Sequence, residues 1–168
     1  MERHAWLVTD DDEYDLLGIE KGSPKPWEDG LRTNGAKGTY EWWYFDSKYA
    51  DGSSLVIVFF TKPVTSFAGN FKPYVSLDYV SPNGKDIHTK VESNNFSFSK
   101  DCCDVRIGNC HVKGDLKHYE IYFKNNEAEC RLTLDASVPS WRPDAGHIYF
   151  GEKDYFAWLP SVPEGVMK

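Results

Sequence analysis

Beyond residue 38, apolar and polar residues alternate along most of this chain with the two-residue period of β-strands. Residues 74–81 alternate well, and the turn signal Pro82-Asn83-Gly84-Lys85 predicts a hairpin that returns through residues 86–91. Residues 54–61 form a continuous apolar run, which is typical of a strand buried on both faces. About nine to eleven short strands and no convincing helix predict an all-β fold, an antiparallel sandwich or barrel.

The first 38 residues lack this periodicity and are rich in glycine and proline. We therefore predict an irregular N-terminal arm over residues 1–38, with a short strand at residues 5–8, that lies across a β-domain formed by residues 39–168. The acidic run Asp10-Asp11-Asp12-Glu13 is interpreted as a solvated part of this arm. A chain of 168 residues is large enough for one domain with a substantial core.

The segment Glu41-Trp42-Trp43-Tyr44-Phe45-Asp46 departs from simple alternation, because it is aromatic on both faces of the predicted strand. A period of two places Glu41, Trp43 and Phe45 on one face and Trp42 and Tyr44 on the other. Both faces consequently need a cover. One cover is expected to be the interior of this domain and the other a ligand or a second domain, and the sequence leaves open which face does which.

Two carboxyl groups are candidates for catalysis. Glu41 shares a face with Trp43, and desolvation there would favour a protonated carboxyl that can donate a proton to a substrate. The alternative is an ionised Glu41 that binds the backbone or an arginine. Asp78 is the second candidate, because a carboxylate on an alternating strand face is unusual if that face lies inside.

Aromatic side chains near these carboxyl groups offer flat apolar walls for a polyene, a terpenoid or a nascent ring system. The alternatives are that they belong to the core, or that exposed tryptophans stack on sugar rings. The predicted substrate-binding residues are Trp42, Trp43, Tyr44, Phe60, Tyr74 and Ser76.

The composition of the chain argues against several classes of function. The net charge of −7 and the absence of a basic patch argue against nucleic-acid binding. No apolar run of about 18 residues exists, so we predict no membrane span, and the polar N-terminus favours a cytoplasmic location. The four cysteines have no zinc-like spacing, so we predict reduced structural thiols and no metal site.

The segment from Glu41 to Asp46 resembles the signature of the lipocalin-like family of carotenoid hydratases (hydroxyneurosporene synthases) and AttH proteins, a group that includes fungal decalin-forming Diels–Alderases. Supporting motifs follow in the family's order over residues 38–165. They are Asp51-Gly52, Pro82-Asn83-Gly84, Asp104-Val105-Arg106-Ile107-Gly108, Val112-Lys113-Gly114-Asp115 and Trp158-Leu159-Pro160-Ser161-Val162-Pro163-Glu164-Gly165.

The resemblance implies the first of two β-domains, with a ligand cavity near the junction between them. The family's second domain opens with a Gly-Tyr-His-Asp-His-Asn-Trp-Gly type motif, which this chain does not contain. The expectation is therefore a fragment, one piece of a split protein, or a short relative that works with a second β-domain or partner chain.

The activity implied by the resemblance is a hydratase or cyclase that needs no cofactor and acts on a hydrophobic substrate. A non-catalytic lipocalin-like carrier and a structural half-domain with an aromatic interface are the alternatives.

Overall fold

The computed structural model describes residues 5–151 and 154–168, and strands dominate this part of the chain. One α-helix, α1 (Asp11–Leu17), and one 3₁₀ helix (Pro26–Asp29) lie among the described residues of the arm. The strands there are β1 (Ala5–Leu7), β2 (Trp42–Lys48), β3 (Ser54–Phe60), β4 (Tyr74–Val80), β5 (Asp86–Glu92), β6 (Phe96–Phe98), β7 (Cys103–Ile107), β8 (Cys110–Gly114), β9 (His118–Lys124), β10 (Glu129–Ala136), β11 (His147–Phe150), β12 (Asp154–Ala157) and β13 (Gly165–Met167).

These strands form three antiparallel sheets, which confirms the all-β prediction. The four-stranded sheet has the order β2-β3-β4-β5, the six-stranded sheet β13-β10-β9-β8-β7-β6, and the three-stranded sheet β1-β11-β12. In the described pairings, β2 and β5 are sheet edges, so the architecture is a sandwich. The predicted count of about nine to eleven strands is too low, since thirteen lie within the described residues. A strand of three residues such as β13 is too short for alternation to be recognised.

The main core lies between the four-stranded and six-stranded sheets. Each strand contributes every second side chain to it, because successive side chains point to opposite faces. The four-stranded sheet supplies Trp43, Phe45, Leu55, Ile57, Phe59, Val75 and Leu77, and the six-stranded sheet supplies Cys103, Val105, Ile107, Cys110, Val112, Tyr119, Ile121, Phe123, Leu134 and Met167. The aromatic strand therefore turns its Trp43/Phe45 face toward the interior of this domain.

The arm is less irregular than predicted, because it contains α1, and it contacts the β-domain through β1. The acidic residues Asp11, Asp12 and Glu13 occupy the first turn of α1, where they suit the positive end of the helix dipole. The buried Tyr14 packs with Val8 and Ala145 in a second small core, and β1 pairs with β11. The acidic run thus begins a helix, although Asp11 and Asp12 remain exposed as expected.

Candidate functional site

The outward face of the four-stranded sheet brings together five of the six predicted substrate-binding residues. Strand register places Trp42, Phe60 and Tyr74 side by side across β2, β3 and β4. The next outward row contains Tyr44 and Ser76 on either side of Val58. A hydrophobic and aromatic surface therefore covers one end of this face.

The rings on this surface contact one another in a continuous series. Phe60 and Tyr74 stack with ring centroids 4.4 Å apart, and Tyr40 stacks on Trp42 at 5.4 Å. Trp42 and Phe60 connect the two stacks at 6.4 Å. Such pairs stabilise neighbouring strands by about 0.5–1.5 kcal/mol each beyond the area they bury, so the rings form a preorganised wall. We call Tyr40, Trp42, Phe60 and Tyr74 the aromatic wall.

Phe156 of β12 adds a contact that sequence reasoning missed. Its ring lies 6.3 Å from the Trp42 ring, which brings the three-stranded sheet next to the aromatic wall. Phe156 is 38% exposed and Tyr44 is 54% exposed, so apolar surface remains open to a ligand or partner on both sides of Trp42. No local pattern indicates this contact, because β12 is short and lies far from β2 in the chain.

Asp78 lies on the same outward face, toward the opposite end from the aromatic wall. Its Oδ1 is 2.7 Å from Nδ1 of His88, its cross-strand partner on β5. This hydrogen bond, assisted by the charges of Asp78 and Asp86, raises the pKa of His88 and favours the imidazolium form. Asp78 and His88 therefore form an exposed ion pair that can exchange a proton with a group bound on this face. His88 was not among the predicted residues.

Glu41 lies immediately before β2, apart from the aromatic wall and Asp78. Its Oε2 accepts hydrogen bonds from the backbone N–H groups of Arg32 and Thr33, both at 2.9 Å. Burial raises the pKa of Glu41, while these N–H groups and the charge of Arg32 oppose the rise. The carboxyl group thus attaches the arm to the start of the aromatic strand, and this geometry corresponds to the backbone-bound alternative.

Trp43 belongs to the core and not to the outward surface. Its side chain is 5% exposed and its ring stacks on Phe98 with centroids 5.8 Å apart. Its indole N–H donates a hydrogen bond of 2.8 Å to the main-chain carbonyl of Asp29. We therefore leave Trp43 out of the proposed binding surface.

Two surface concavities of about 500 Å³ each lie away from the aromatic wall. One is formed by Asn34, Gly35, Ala36, Gly69, Asn70, Phe71 and Phe96. The other is formed by Thr9, Tyr14, Lys21, Gly22, Ser23, Ser140, Trp141, Arg142 and Asp144. Neither contains a predicted site residue, so the candidate site is an open sheet face.

The side chains in the described ranges do not gather into a metal site. No group of three or more histidine, cysteine, aspartate or glutamate residues there is arranged to hold a metal ion. All four cysteines are free thiols, and burial raises the pKa of Cys103 and Cys110, which makes them poor nucleophiles. Within residues 5–151 and 154–168, no helix is long and apolar enough to cross a membrane.

Comparisons of this chain with family models, curated proteins and solved structures found no significant match. The class defined by the fold is an antiparallel β-sandwich with an additional three-stranded sheet.

Proposed function

We propose that this chain is one β-domain of a cofactor-independent hydratase or cyclase, including Diels–Alderase-type cyclases. Its substrate would be a hydrophobic polyene, terpenoid or polyketide-derived molecule that lies on the aromatic wall. A second β-domain, in the same protein or in a partner chain, would cover the substrate and complete the pocket.

The observation that carries this proposal is the contrast between the outward faces of the two large sheets. The outward face of the six-stranded sheet carries charged residues such as Lys113, Glu120 and Arg131, which are exposed as expected of a solvated surface. The outward face of the four-stranded sheet also carries charged residues toward its Asp78 end, but the aromatic wall covers its other end, where Tyr40 is exposed and Trp42, Phe60 and Tyr74 are half-buried. Contiguous exposed apolar surface marks sites that bind ligands or partners.

The proposed chemistry uses shape and charge. Flat rings would hold a flexible polyene in a reactive conformation, which lowers the entropic barrier to ring closure. The faces of Trp42 and Tyr74 would stabilise positive charge that develops on the substrate. Asp78 and His88 would transfer a proton at the polar end of the same face. Glu41 would act indirectly, by holding the arm against the start of β2.

A carrier protein is the second candidate function. The exposure of the Asp78–His88 pair favours this function. The side chain of Asp78 is 45% exposed and that of His88 is 64% exposed. Solvent weakens the electrostatic interactions that adjust the pKa of a catalytic group, so such a pair is poorly suited to catalysis. A carrier would bind the same ligand on the aromatic wall without converting it. A structural half-domain would instead use the wall only to contact a second β-domain.

Turnover of an acyclic carotenoid by wild type and two matched variants, each measured with the second β-domain supplied in the same protein or by co-expression, separates these functions. Asp78→Asn removes the carboxylate of the proposed pair, whereas Asp46→Asn changes another outward carboxylate in the same row of the sheet. We expect Asp78→Asn to lower kcat by about 100-fold with unchanged ligand affinity, within the range of general acid–base catalysis. Asp46→Asn should leave kcat unchanged.

With the second β-domain present, wild type that binds the carotenoid without converting it would indicate a carrier. Wild type that neither binds nor converts it, and that is soluble only when a second β-domain is co-expressed, would indicate a structural half-domain. Equal kcat in wild type and Asp78→Asn would remove Asp78 from the chemistry.

A further inference from the structure

Asp29 connects the arm to three separate parts of the β-domain. It ends the 3₁₀ helix, and its two carboxyl oxygens accept hydrogen bonds from the hydroxyl groups of Tyr119 on β9 and Ser161 in the C-terminal segment. Its main-chain carbonyl accepts the indole N–H of Trp43 on β2. One residue thus holds the arm, the aromatic strand and the C-terminal segment together.

The carboxyl group of Asp29 has no basic partner among the described residues. Its neighbour Glu28 pairs with Arg142 at 2.8 Å, and the Arg32 guanidinium donates to the main-chain carbonyls of Gly30 and Lys100. The carboxyl group is partly buried and only hydroxyl groups compensate its loss of hydration, so desolvation raises the pKa of Asp29 to about 6.

The other titratable groups that face Asp29 do not supply positive charge. The Cys103 thiol on β7 and the Glu41 carboxyl before β2 both have raised pKa values, to which the charge of Asp29 contributes. The pKa of Tyr119 is also raised, by burial and by Asp29, so its hydroxyl remains a donor across the usual pH range. The neighbourhood therefore favours a neutral Asp29.

We propose that Asp29 is a pH-dependent latch that holds the arm and the C-terminal segment on the sandwich. Protonated Asp29 keeps the arm attached, and ionisation weakens the attachment because a negative charge must then be held without a counter-ion. The pKa of Asp29 is higher in the folded chain than in the unfolded chain, so the contribution of protonated Asp29 to stability is fully present at low pH. That stability is lost as the pH rises through the folded-state value.

Hydrogen exchange of the arm measures this latch directly. The amide of Leu31 donates to the carbonyl of Ser99 at 2.7 Å, so its protection reports the attachment of the arm next to Asp29. Between pH 4 and pH 7.5, after correction for intrinsic exchange, we expect its protection factor in wild type to fall by up to about 100-fold. This fold-change corresponds to a difference of about two pKa units between the folded and open forms. Amides of β9 should show no matching change.

Three variants test whether Asp29 is responsible. Asp29→Asn mimics the protonated carboxyl and should make the protection of Leu31 independent of pH. Tyr119→Phe removes a hydrogen bond that stabilises the carboxylate, so it should move the midpoint of the wild-type profile to higher pH. Asp12→Asn, an exposed carboxyl elsewhere in the arm, is the matched control and should behave like wild type.

A pH-independent profile in wild type would overturn the proposal, and this result requires no variant to fold. The proposal would also be overturned if Asp29→Asn kept the wild-type profile while Glu41→Gln abolished it. In that case Glu41, which also holds the arm, would be the titrating group.

Discussion

The ion pair between Glu28 and Arg142 provides the sharpest test of how the arm is attached. Glu28 belongs to the 3₁₀ helix, and Arg142 lies between β10 and β11. Their side chains are only 6% and 3% exposed, and Glu28 Oε2 is 2.8 Å from Arg142 Nη1. Arg142 also donates to the main-chain carbonyl of Glu20. Both ends of the pair are thus enclosed by protein.

Removing one partner of the ion pair should lower the free energy of unfolding by more than the intact pair contributes to it. Glu28→Leu leaves a buried guanidinium that cannot lose its proton, so we expect a loss of about 3–5 kcal/mol in the free energy of unfolding. For a domain of this size, that loss lowers Tm by about 6–20 °C. Arg142→Met leaves a carboxylate that can take up a proton, so its cost should become smaller as the pH falls.

Equilibrium urea denaturation followed by tryptophan fluorescence measures these costs. The exposed pair between Lys25 and Glu20, with an N–O distance of 3.0 Å, supplies the control. Lys25→Met should change the free energy of unfolding by less than about 1 kcal/mol, as is usual for surface pairs. The double variant Glu28→Leu/Arg142→Met should recover most of the loss. If Glu28→Leu cost no more than Lys25→Met, the arm would not depend on this pair.

Two further substitutions test buried contacts of the β-domain. Lys62 is 1% exposed and its Nζ donates to the carbonyls of Ala36 at 2.8 Å and Ala68 at 3.0 Å. Lys62→Met should cost about 1–3 kcal/mol for each carbonyl left without a donor, as measured by urea denaturation, and an unchanged midpoint would contradict this role. A Cβ at position 114 would lie 2.1 Å from the Tyr119 ring, so Gly114→Ala should destabilise the fold by about 1–3 kcal/mol, and wild-type thermal stability would show that the ring can move away.

Alternation along the chain was sufficient to predict the β-class and several strand pairs. The turn at Pro82-Asn83-Gly84-Lys85 pairs Ser81 with Lys85, and counting back along both strands places Asp78 opposite His88. The contact between these two side chains could therefore have been predicted from the hairpin. The histidines are scattered singly along the sequence and form no motif, so only the strand register indicates this contact.

Alternation predicts which residues of the aromatic strand share a face, but not what covers each face. Alternation separates Trp43 from Trp42, yet nothing local shows which face meets the six-stranded sheet. The contact of Phe156 with Trp42 and the hydroxyl groups around Asp29 join segments that are distant in the chain. Such contacts depend on how the sheets and the arm pack, which the alternation of residues within a single strand does not indicate. The short helix α1 was missed because its acidic start resembles a solvated arm.

Binding of an acyclic carotenoid to the aromatic wall is the most direct test of the central claim. The affinity should be measured by titration for wild type, for Trp42→Ala and for Tyr122→Ala, an aromatic residue on the outward face of the six-stranded sheet. We predict that Trp42→Ala weakens binding by about tenfold, which corresponds to the loss of about 1.4 kcal/mol of ring contact. Tyr122→Ala should bind like wild type. Equal affinities in all three proteins, or no binding by wild type, would contradict the account.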